Sequence, residues 1–156
     1  MKIIFLDIDG VILPFSGSKH NSALGPNKWG VEGFCQKAVK ILNEVLLETD
    51  ADIVISSDWR HQHPLFEMRE IFEANGIIKL PIAYTIRSKT YTAMNLEGGR
   101  VDEINEYVDR HRLRHWVSID DLDMFDLFPN FVHCKHPNQG IKEIGLKEKI
   151  IKILNK

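Results

Sequence analysis

Short runs of apolar residues alternate along this chain with longer segments of helical periodicity. Strands are predicted at Lys2–Leu6, Ile53–Ile55, Ile82–Ile86, Trp116–Ile119 and Phe131–Cys134. Helices are predicted over Val31–Leu47, Leu65–Ala74 and Val101–Arg112 and within Gly140–Leu154. Because this alternation builds βαβ units, we expect an α/β fold. The expected architecture is a Rossmann-like three-layer sandwich, in which a mostly parallel five-stranded sheet carries helices on both faces.

The length of the chain fits one such unit. A chain of 156 residues corresponds to one domain on the usual scale of ~150 residues, so a single domain over residues 1–156 is expected. Two polar, glycine-containing segments, 14–30 and 87–99, are predicted to be loops. The first is too short for a full cap domain, but long loops over a site often touch the ligand. The aromatic candidates for substrate contact near or within it are Phe15, His20 and Trp29.

Composition and charge limit the classes of binding partner and the cellular compartment that we expect for this chain. The net charge of −2 provides no global positive field for nucleic acid or anionic membrane. No run approaches the ~18 apolar residues of a membrane span, and the apolar run before Asp7 is too short for a signal peptide. Cys35 and Cys134 lie far apart outside any metal-ligand pattern, which suits a reduced compartment. We expect a cytoplasmic protein without a membrane partner.

Three of the predicted strands end in reactive polar groups. The first runs into Asp7-Ile8-Asp9-Gly10, the second into Ser56-Ser57-Asp58 and the fourth into Asp120-Asp121. In open parallel sheets, ligands bind beyond the carboxyl ends of the strands, where the strand order reverses. Carboxylates gathered there repel one another unless a cation neutralises them, and hard oxygen ligands suit Mg²⁺. The pattern therefore predicts a magnesium site and, with it, phosphoryl chemistry.

The Asp-x-Asp spacing after the first strand has a chemical logic of its own. If the pleat breaks after Asp7, that carboxylate faces the substrate and Asp9 reaches over it. One carboxylate can then attack phosphorus while the other handles protons. Gly10 has no side chain, so backbone N–H groups nearby can approach phosphate oxygens closely.

These segments resemble the motifs of the haloacid dehalogenase (HAD) superfamily, in the family's order and across the whole chain. Asp7-Ile8-Asp9-Gly10-Val11 is similar to motif I, Ile53-Val54-Ile55-Ser56 to motif II and Ser118-Ile119-Asp120-Asp121 to motif IV. Three further segments resemble a small capless HAD group that occurs in RNA-repair and phage-type proteins. They are Ser56-Ser57-Asp58-Trp59-Arg60, Gly99-Arg100-Val101-Asp102-Glu103-Ile104 and Gly140-Ile141. The resemblance implies a HAD-like fold with a minimal cap.

The resemblance also implies a role for each matching residue. Asp7 would be the nucleophile that forms an aspartyl-phosphate, and Asp9 would be the general acid for the leaving group and then the base for water. Ser56 would hydrogen-bond the transferring phosphoryl group. Asp121 would bind Mg²⁺ together with Asp7 and the Asp9 carbonyl, with assistance from Asp120. Such a chain is expected to be a magnesium-dependent phosphatase, that is, a phosphoric monoester hydrolase.

Motif III departs from the family, which usually places a lysine near the start of the helix before the fourth strand. Arg100 fits that position here, with Lys89 from the preceding loop as the alternative. An arginine can clamp phosphate through two N–H groups, although it is not a compact ammonium. Ser57 is the alternative to Ser56 in motif II. Further candidates for substrate binding are Gly10, Ser57, Arg60 and Lys89.

Two alternatives remain for Trp59 and Arg60, which lie beside the predicted site. The tryptophan packs in the core while the arginine lies at the surface, or the pair contacts substrate. The substrate class is also open, because an uncapped site would admit a small phosphate ester, a nucleotide, a nucleic-acid end or a phosphoprotein.

Two other functions are weaker alternatives to the phosphatase. A phospho-acceptor like a receiver domain fits less well, because receivers carry the acidic pair near the N-terminus, whereas Asp120-Asp121 comes late in this chain. A degenerate HAD module that binds a partner without catalysis is the other alternative. The sequence does not separate a phosphatase from a phosphotransferase, and it gives no sign of an oligomeric state.

Overall fold

Five strands form the central sheet in the part of the chain that the structure describes. The structure is a computed structural model, and it describes residues 1–15, 33–87, 89, 96–124 and 129–156. The strands are β1 Lys2–Leu6, β2 Asp52–Ile55, β3 Ala83–Tyr84, β4 His115–Asp120 and β5 Phe131–His133. The helices are α1 Gln36–Thr49, α2 Leu65–Ala74, α3 Leu96–His111 and α4 Leu146–Leu154, with 3₁₀ turns at Asp58–His61 and Gly140–Lys142.

The strand order is β3-β2-β1-β4-β5, and every pairing is parallel. β1 lies at the centre, where Leu6 pairs with Ile55 of β2 and with Ile119 of β4. The chain first extends the sheet from β1 through β2 to β3 and then adds β4 and β5 on the other side. This reversal opens a crevice beyond the carboxyl ends of β1 and β4. The α/β prediction is confirmed, with a sheet that is parallel at all four pairings.

Both faces of the sheet are buried under helices, and successive strand side chains point to opposite faces. One face packs under α1, α2 and α4 through residues such as Ile4 and Ile53, and the other packs under α3 through Ile3, Phe5 and Val54. Strand residues alternate between faces, so Asp7 follows Phe5 onto the α3 side. The helices within the described ranges are too short or too polar to cross a membrane.

α1 begins later than the predicted start at Val31. The Phe34 N–H donates to Asn75 Oδ1 at 2.8 Å, and the Cys35 N–H donates to the Ile12 carbonyl at 3.0 Å. These bonds tie the residues before the helix to neighbouring segments, and Cys35 is left as an extended N-cap residue. The spacing of apolar residues along the sequence carries no information about such long-range hydrogen bonds.

α3 begins earlier than predicted, inside the segment 87–99 whose glycines indicate a loop. Glycine is a weak helix former, but Gly99 and Arg100 are buried here. Packing against the sheet therefore outweighs local propensity. As a result Arg100 lies within α3 rather than just ahead of it, over the carboxyl end of the sheet.

Candidate active site

A tight turn carries Asp7, Asp9 and Gly10 away from the central strand. Asp7 is the last residue in register, since its N–H donates to the Ile119 carbonyl at 3.0 Å. The Ile8 carbonyl then accepts N–H bonds from three later residues, Val11, Ile12 and Leu13. Gly10 has a φ of +73°, and its own N–H donates to the Leu13 carbonyl. The predicted break in the pleat is present, but the Gly10 N–H is already used within the turn.

Three carboxylates meet at the crevice between β1 and β4. Asp7, Asp120 and Asp121 each offer one oxygen, and these oxygens all lie within 4.8 Å of one another. Asp7 and Asp120 are buried, and Asp121 is half-buried. A Cβ built on Gly10 would lie 2.5 Å from Asp121 Oδ2, so the glycine makes room for this carboxylate. Mg²⁺ prefers such a set of hard oxygen donors.

Arg100 reaches the carboxylates from α3. Its Nη1 lies 2.8 Å from Asp120 Oδ2 and 3.6 Å from Asp7 Oδ1, and it also donates to the Ser56 carbonyl. The side chain is 4% exposed, so its charge acts in a region of low dielectric. Lys89, the alternative for motif III, is exposed. The structure therefore brings Arg100, and not Lys89, against the acidic residues.

Burial makes the ionised form of this cluster costly. Burial raises the pKa of Asp120 to about 6, and the Arg100 guanidinium opposes that rise. Burial and then the neighbouring Asp120 raise the pKa of Asp7 well above its ordinary value, again against Arg100. Burial also raises the pKa of Asp121. Without a metal these carboxyl groups therefore hold their protons to a higher pH than ordinary carboxyl groups do, and a divalent cation would favour the ionised forms.

Opposite pH trends are expected with and without Mg²⁺. A carboxyl whose pKa rises from 3.8 to about 6 on folding binds more protons in the folded state, so its contribution to stability falls as pH rises through that window. Mg²⁺ requires the ionised carboxylates, so its stabilising effect should grow over the same window. Thermal unfolding at about pH 4.5 and about pH 7.5, with and without Mg²⁺, measures both trends. A magnesium-induced shift in Tm that is equal at the two pH values would contradict the metal assignment.

The second serine after β2 is the one that faces the cleft. Ser57 is buried, lines the cleft and hydrogen-bonds the Asp7 side chain. Ser56 continues the strand alternation, and its buried Oγ has no hydrogen-bond partner among the described residues. The strand register thus puts the Ser56 side chain on the α3 face, where its carbonyl accepts from Arg100. The hydroxyl that lies beside the Asp7 carboxylate is therefore that of Ser57, and not that of the predicted Ser56.

A small cleft joins these groups. Its volume is about 160 Å³, and it is lined by Asp7, Asp9, Ser57, Asp58, Leu96, Arg100, Asp121 and Leu122. Pockets that enclose drug-sized ligands measure ~300–1,000 Å³, so this cleft suits a group of phosphoryl size and leaves the rest of a larger molecule outside. The Asp9 carboxylate accepts a hydrogen bond from Trp59 Nε1 at 2.9 Å. Nothing in the sequence pattern indicates this contact or the lining by Leu96 and Leu122.

Arg60 lies inside the protein and not at its surface. Its Nη1 and Nη2 donate to the two oxygens of Glu103 at 2.8 Å and 2.9 Å, and Nη1 donates to Thr85 Oγ1 at 2.6 Å. The Arg60 side chain is 4% exposed and the Glu103 side chain fully buried. The sequence does not predict the role of Glu103, because its partner Arg60 is distant along the chain. The arginine joins the 3₁₀ turn to α3 and to Thr85, directly after β3, and it is absent from the residues that line the cleft.

The predicted aromatic contacts are only partly within the described residues. Phe15 is 58% exposed, and its N–H donates to the Pro137 carbonyl at 2.8 Å. His20 and Trp29 lie outside the described residues.

The C-terminal 3₁₀ turn supports the turn that carries Asp9. The Ile141 N–H donates to the Val11 carbonyl at 3.1 Å. Gly140 has a φ of +59°, and a Cβ built on it would lie 2.1 Å from the Val11 carbonyl oxygen. Both the backbone conformation and the close approach therefore require glycine at this position.

Gly140→Ala is accordingly expected to lower Tm and to disturb the turn beneath Asp9. A non-glycine residue in the left-handed region costs about 1–3 kcal/mol, and the contact with Val11 adds to that cost. Gly145→Ala is the matched control, because Gly145 also has a positive φ but has open space where its Cβ would lie. Thermal unfolding of both variants isolates the contact. Equal losses of stability would show that the Val11 contact does not matter.

The comparisons with known proteins agree with this geometry. Residues 3–144, most of the chain, match the family model described as the HAD domain in Swiss Army Knife RNA repair proteins. No curated protein and no solved structure gives a significant match.

Proposed function

The chain belongs to the family of HAD domains in Swiss Army Knife RNA repair proteins, and we propose that it is a magnesium-dependent phosphatase acting through an aspartyl-phosphate on Asp7. The observation that carries the proposal is the meeting of Asp7, Asp120, Asp121 and Arg100 beyond the central strand. Phosphoryl transfer needs a positioned nucleophile and positive charge around the transferring oxygens. Asp7 supplies the first, and Arg100 together with a cation supplies the second.

Mg²⁺ fits the donor set of this site. Three hard oxygen donors lie within 4.8 Å of one another, and burial opposes their ionisation unless positive charge is added. We assign the ion to Asp7, Asp121 and the Asp9 carbonyl, with Asp120 as a supporting carboxylate that also holds Arg100. When bound, the ion would neutralise negative charge on the phosphoryl group.

Asp7 and Asp9 divide the covalent and the proton-transfer work. An Asp7 oxygen attacks phosphorus, the bond from phosphorus to the leaving oxygen breaks, and Asp9 gives that oxygen its proton. The Asp9 carboxylate then takes a proton from a water molecule, whose oxygen attacks the phosphorus of the aspartyl-phosphate. The bond between Asp7 and phosphorus breaks, inorganic phosphate leaves, and Asp9 again carries its proton.

Ser57 and Arg100 are the groups best situated to hold the transferring phosphoryl oxygens. Ser57 lines the cleft beside Asp7, and its hydroxyl can donate to a phosphoryl oxygen. Arg100 lines the same cleft and holds its guanidinium beside the nucleophile, where negative charge gathers during transfer. We therefore give Ser57 the role that motif II assigns to a serine, and we give Arg100 the role of the motif III cation.

We propose that the substrate is a phosphorylated nucleic-acid end. The cleft of about 160 Å³ holds a phosphoryl group, so a polymer would lie outside it. Exposed basic residues follow the outer strands at the same end of the sheet, namely Arg87 and Lys89 after β3 and Lys135 after β5. Such residues can contact backbone phosphates. The RNA-repair setting named in the family description supports the same substrate class.

Phosphate release from a substrate panel tests this proposal. The panel holds an aryl phosphate, mononucleotides, 5′- and 3′-phosphorylated oligonucleotides and a phosphopeptide, each with and without Mg²⁺. We expect magnesium-dependent release with preference for an oligonucleotide end. Release that needs no divalent cation would refute the metal role, and preference for the phosphopeptide would refute the substrate class.

A further inference from the structure

Trp59 directly contacts the residue to which the proposed function gives proton transfer. Its indole Nε1–H donates to Asp9 Oδ2 at 2.9 Å, although the two residues are 50 positions apart. The same Asp9 lines the cleft. Resting on the proposed function, we infer that Trp59 is a positioning residue, which fixes the Asp9 oxygen that faces the leaving group and so sets the rate of leaving-group departure.

The chemistry of the indole gives this contact one direction. An indole N–H only donates, so it must meet a lone pair of the Asp9 carboxyl group. With Oδ2 held by Trp59, Oδ1 is the oxygen left to exchange a proton with the substrate. A general acid works only within hydrogen-bond reach of the leaving oxygen, and misplacement by about 1 Å can cost ~100-fold in rate.

The indole is itself fixed by packing. Its ring centroid lies 5.9 Å from that of Phe34 and 5.5 Å from that of His63. Phe34 is fully buried and meets Phe72 edge to face. His63 is buried and pairs with Glu67 at 2.8 Å. The N–H donor therefore has a set position before any substrate arrives, as a positioning group requires.

A buried ion pair fixes the short turn that carries Trp59. Its neighbour Arg60 forms two parallel hydrogen bonds with Glu103 of α3, a pairing with strict geometric requirements. The same helix carries Arg100, which contacts Asp7. α3 thus positions the Arg100 guanidinium beside Asp7. Through the pair of Glu103 with Arg60, it also positions the Trp59 N–H beside Asp9.

The test compares two leaving groups in one variant. Trp59→Phe keeps an aromatic ring and loses the donor, so kcat/KM for an alkyl phosphate, whose departing oxygen needs a proton, should fall about 10- to 100-fold. The kcat/KM for p-nitrophenyl phosphate should fall by less than about 3-fold, because its leaving group departs as a stable anion and kcat/KM excludes the later hydrolysis of the aspartyl-phosphate. Both rates come from one preparation, so their ratio does not depend on the folded fraction. The matched control is Trp116→Phe, remote from the cleft lining and packed on Phe5, which should keep the wild-type ratio.

Asp9→Asn supplies a second readout. Asparagine cannot act as the acid, so Trp59→Phe should cost nothing further with the alkyl phosphate in that background. Equal falls with both substrates, an additive loss in the double variant, or a faster alkyl reaction in Trp59→Phe would each overturn the inference. If Trp59→Phe does not fold, Trp59→Met, which fills space without a donor, replaces it under the same criteria. The failure of the proposed function is a separate outcome: wild-type protein would then release no phosphate. The failure of the present inference would instead show as an active wild-type enzyme whose ratio of rates with the two leaving groups is unchanged in Trp59→Phe.

Discussion

Asp7→Asn is expected to abolish magnesium-dependent phosphate release, with a fall of at least about 10⁴-fold in kcat. The amide is a poor nucleophile, so no aspartyl-phosphate can form. The same change should leave the metal-free protein as stable as wild type or more stable, because it removes a buried carboxyl group whose ionisation is opposed by burial and by Asp120. Phosphate release and thermal unfolding, measured on the same preparation, check both halves of this prediction.

The matched control is Asp123→Asn, the same chemical change at a nearby carboxylate whose side chain is 70% exposed. It is absent from the residues that line the cleft, and its activity should stay within about 2-fold of wild type, as is usual for surface substitutions. Retained turnover in Asp7→Asn would exclude the covalent mechanism. Lost activity together with a strongly lowered Tm would instead indicate that Asp7 is needed for folding.

Asp9→Asn should slow turnover by about 10²–10⁴-fold, the usual contribution of general acid–base catalysis. The loss should be greatest with an alkyl phosphate, since its leaving oxygen most needs a proton. An aryl phosphate should still transfer its phosphoryl group to Asp7, but the phosphorylated protein should then accumulate because Asp9 no longer activates water. Intact-mass measurement, with and without hydroxylamine to cleave an acyl phosphate, detects this species.

Near-normal turnover of Asp9→Asn with the alkyl phosphate would remove Asp9 from its proposed role. If wild-type protein keeps its phosphoryl group for hours in Mg²⁺, the result would support the receiver-like alternative. In that case Asp7 would accept phosphate without the turnover that a phosphatase requires. The two experiments together separate an enzyme from a phospho-acceptor.

The acidic part of the site could be predicted because it depends on strand ends alone. Asp7 follows β1, Asp120 is the last residue of β4, and Asp121 comes directly after it. In a parallel sheet these ends must lie at one edge, so apolar runs in the sequence suffice to bring the carboxylates together. Arg100 could be placed beside them only through the resemblance to motif III, which left Lys89 as the alternative.

The hydrogen bonds that organise the site could not be predicted in the same way. The choice between Ser56 and Ser57 depends on where the β2 alternation ends, which one apolar run does not define. The pair of Arg60 with Glu103 joins residues 43 positions apart, and the bond of Trp59 to Asp9 spans 50. Such contacts depend on how the elements pack, and local periodicity carries no information about them.

A chain synthesised from its N-terminus completes β1 long before β4 exists to pair with it. Until His115–Asp120 has left the ribosome, one edge of this apolar central strand has no neighbour, and an open edge of that kind invites pairing with other chains. Asp7 also lacks its partners at that stage, because Arg100, Asp120 and Asp121 are all translated after β1 and β2. The nascent protein therefore becomes able to bind a cation, and to be stabilised by it, only after β4 and Asp121 have left the ribosome.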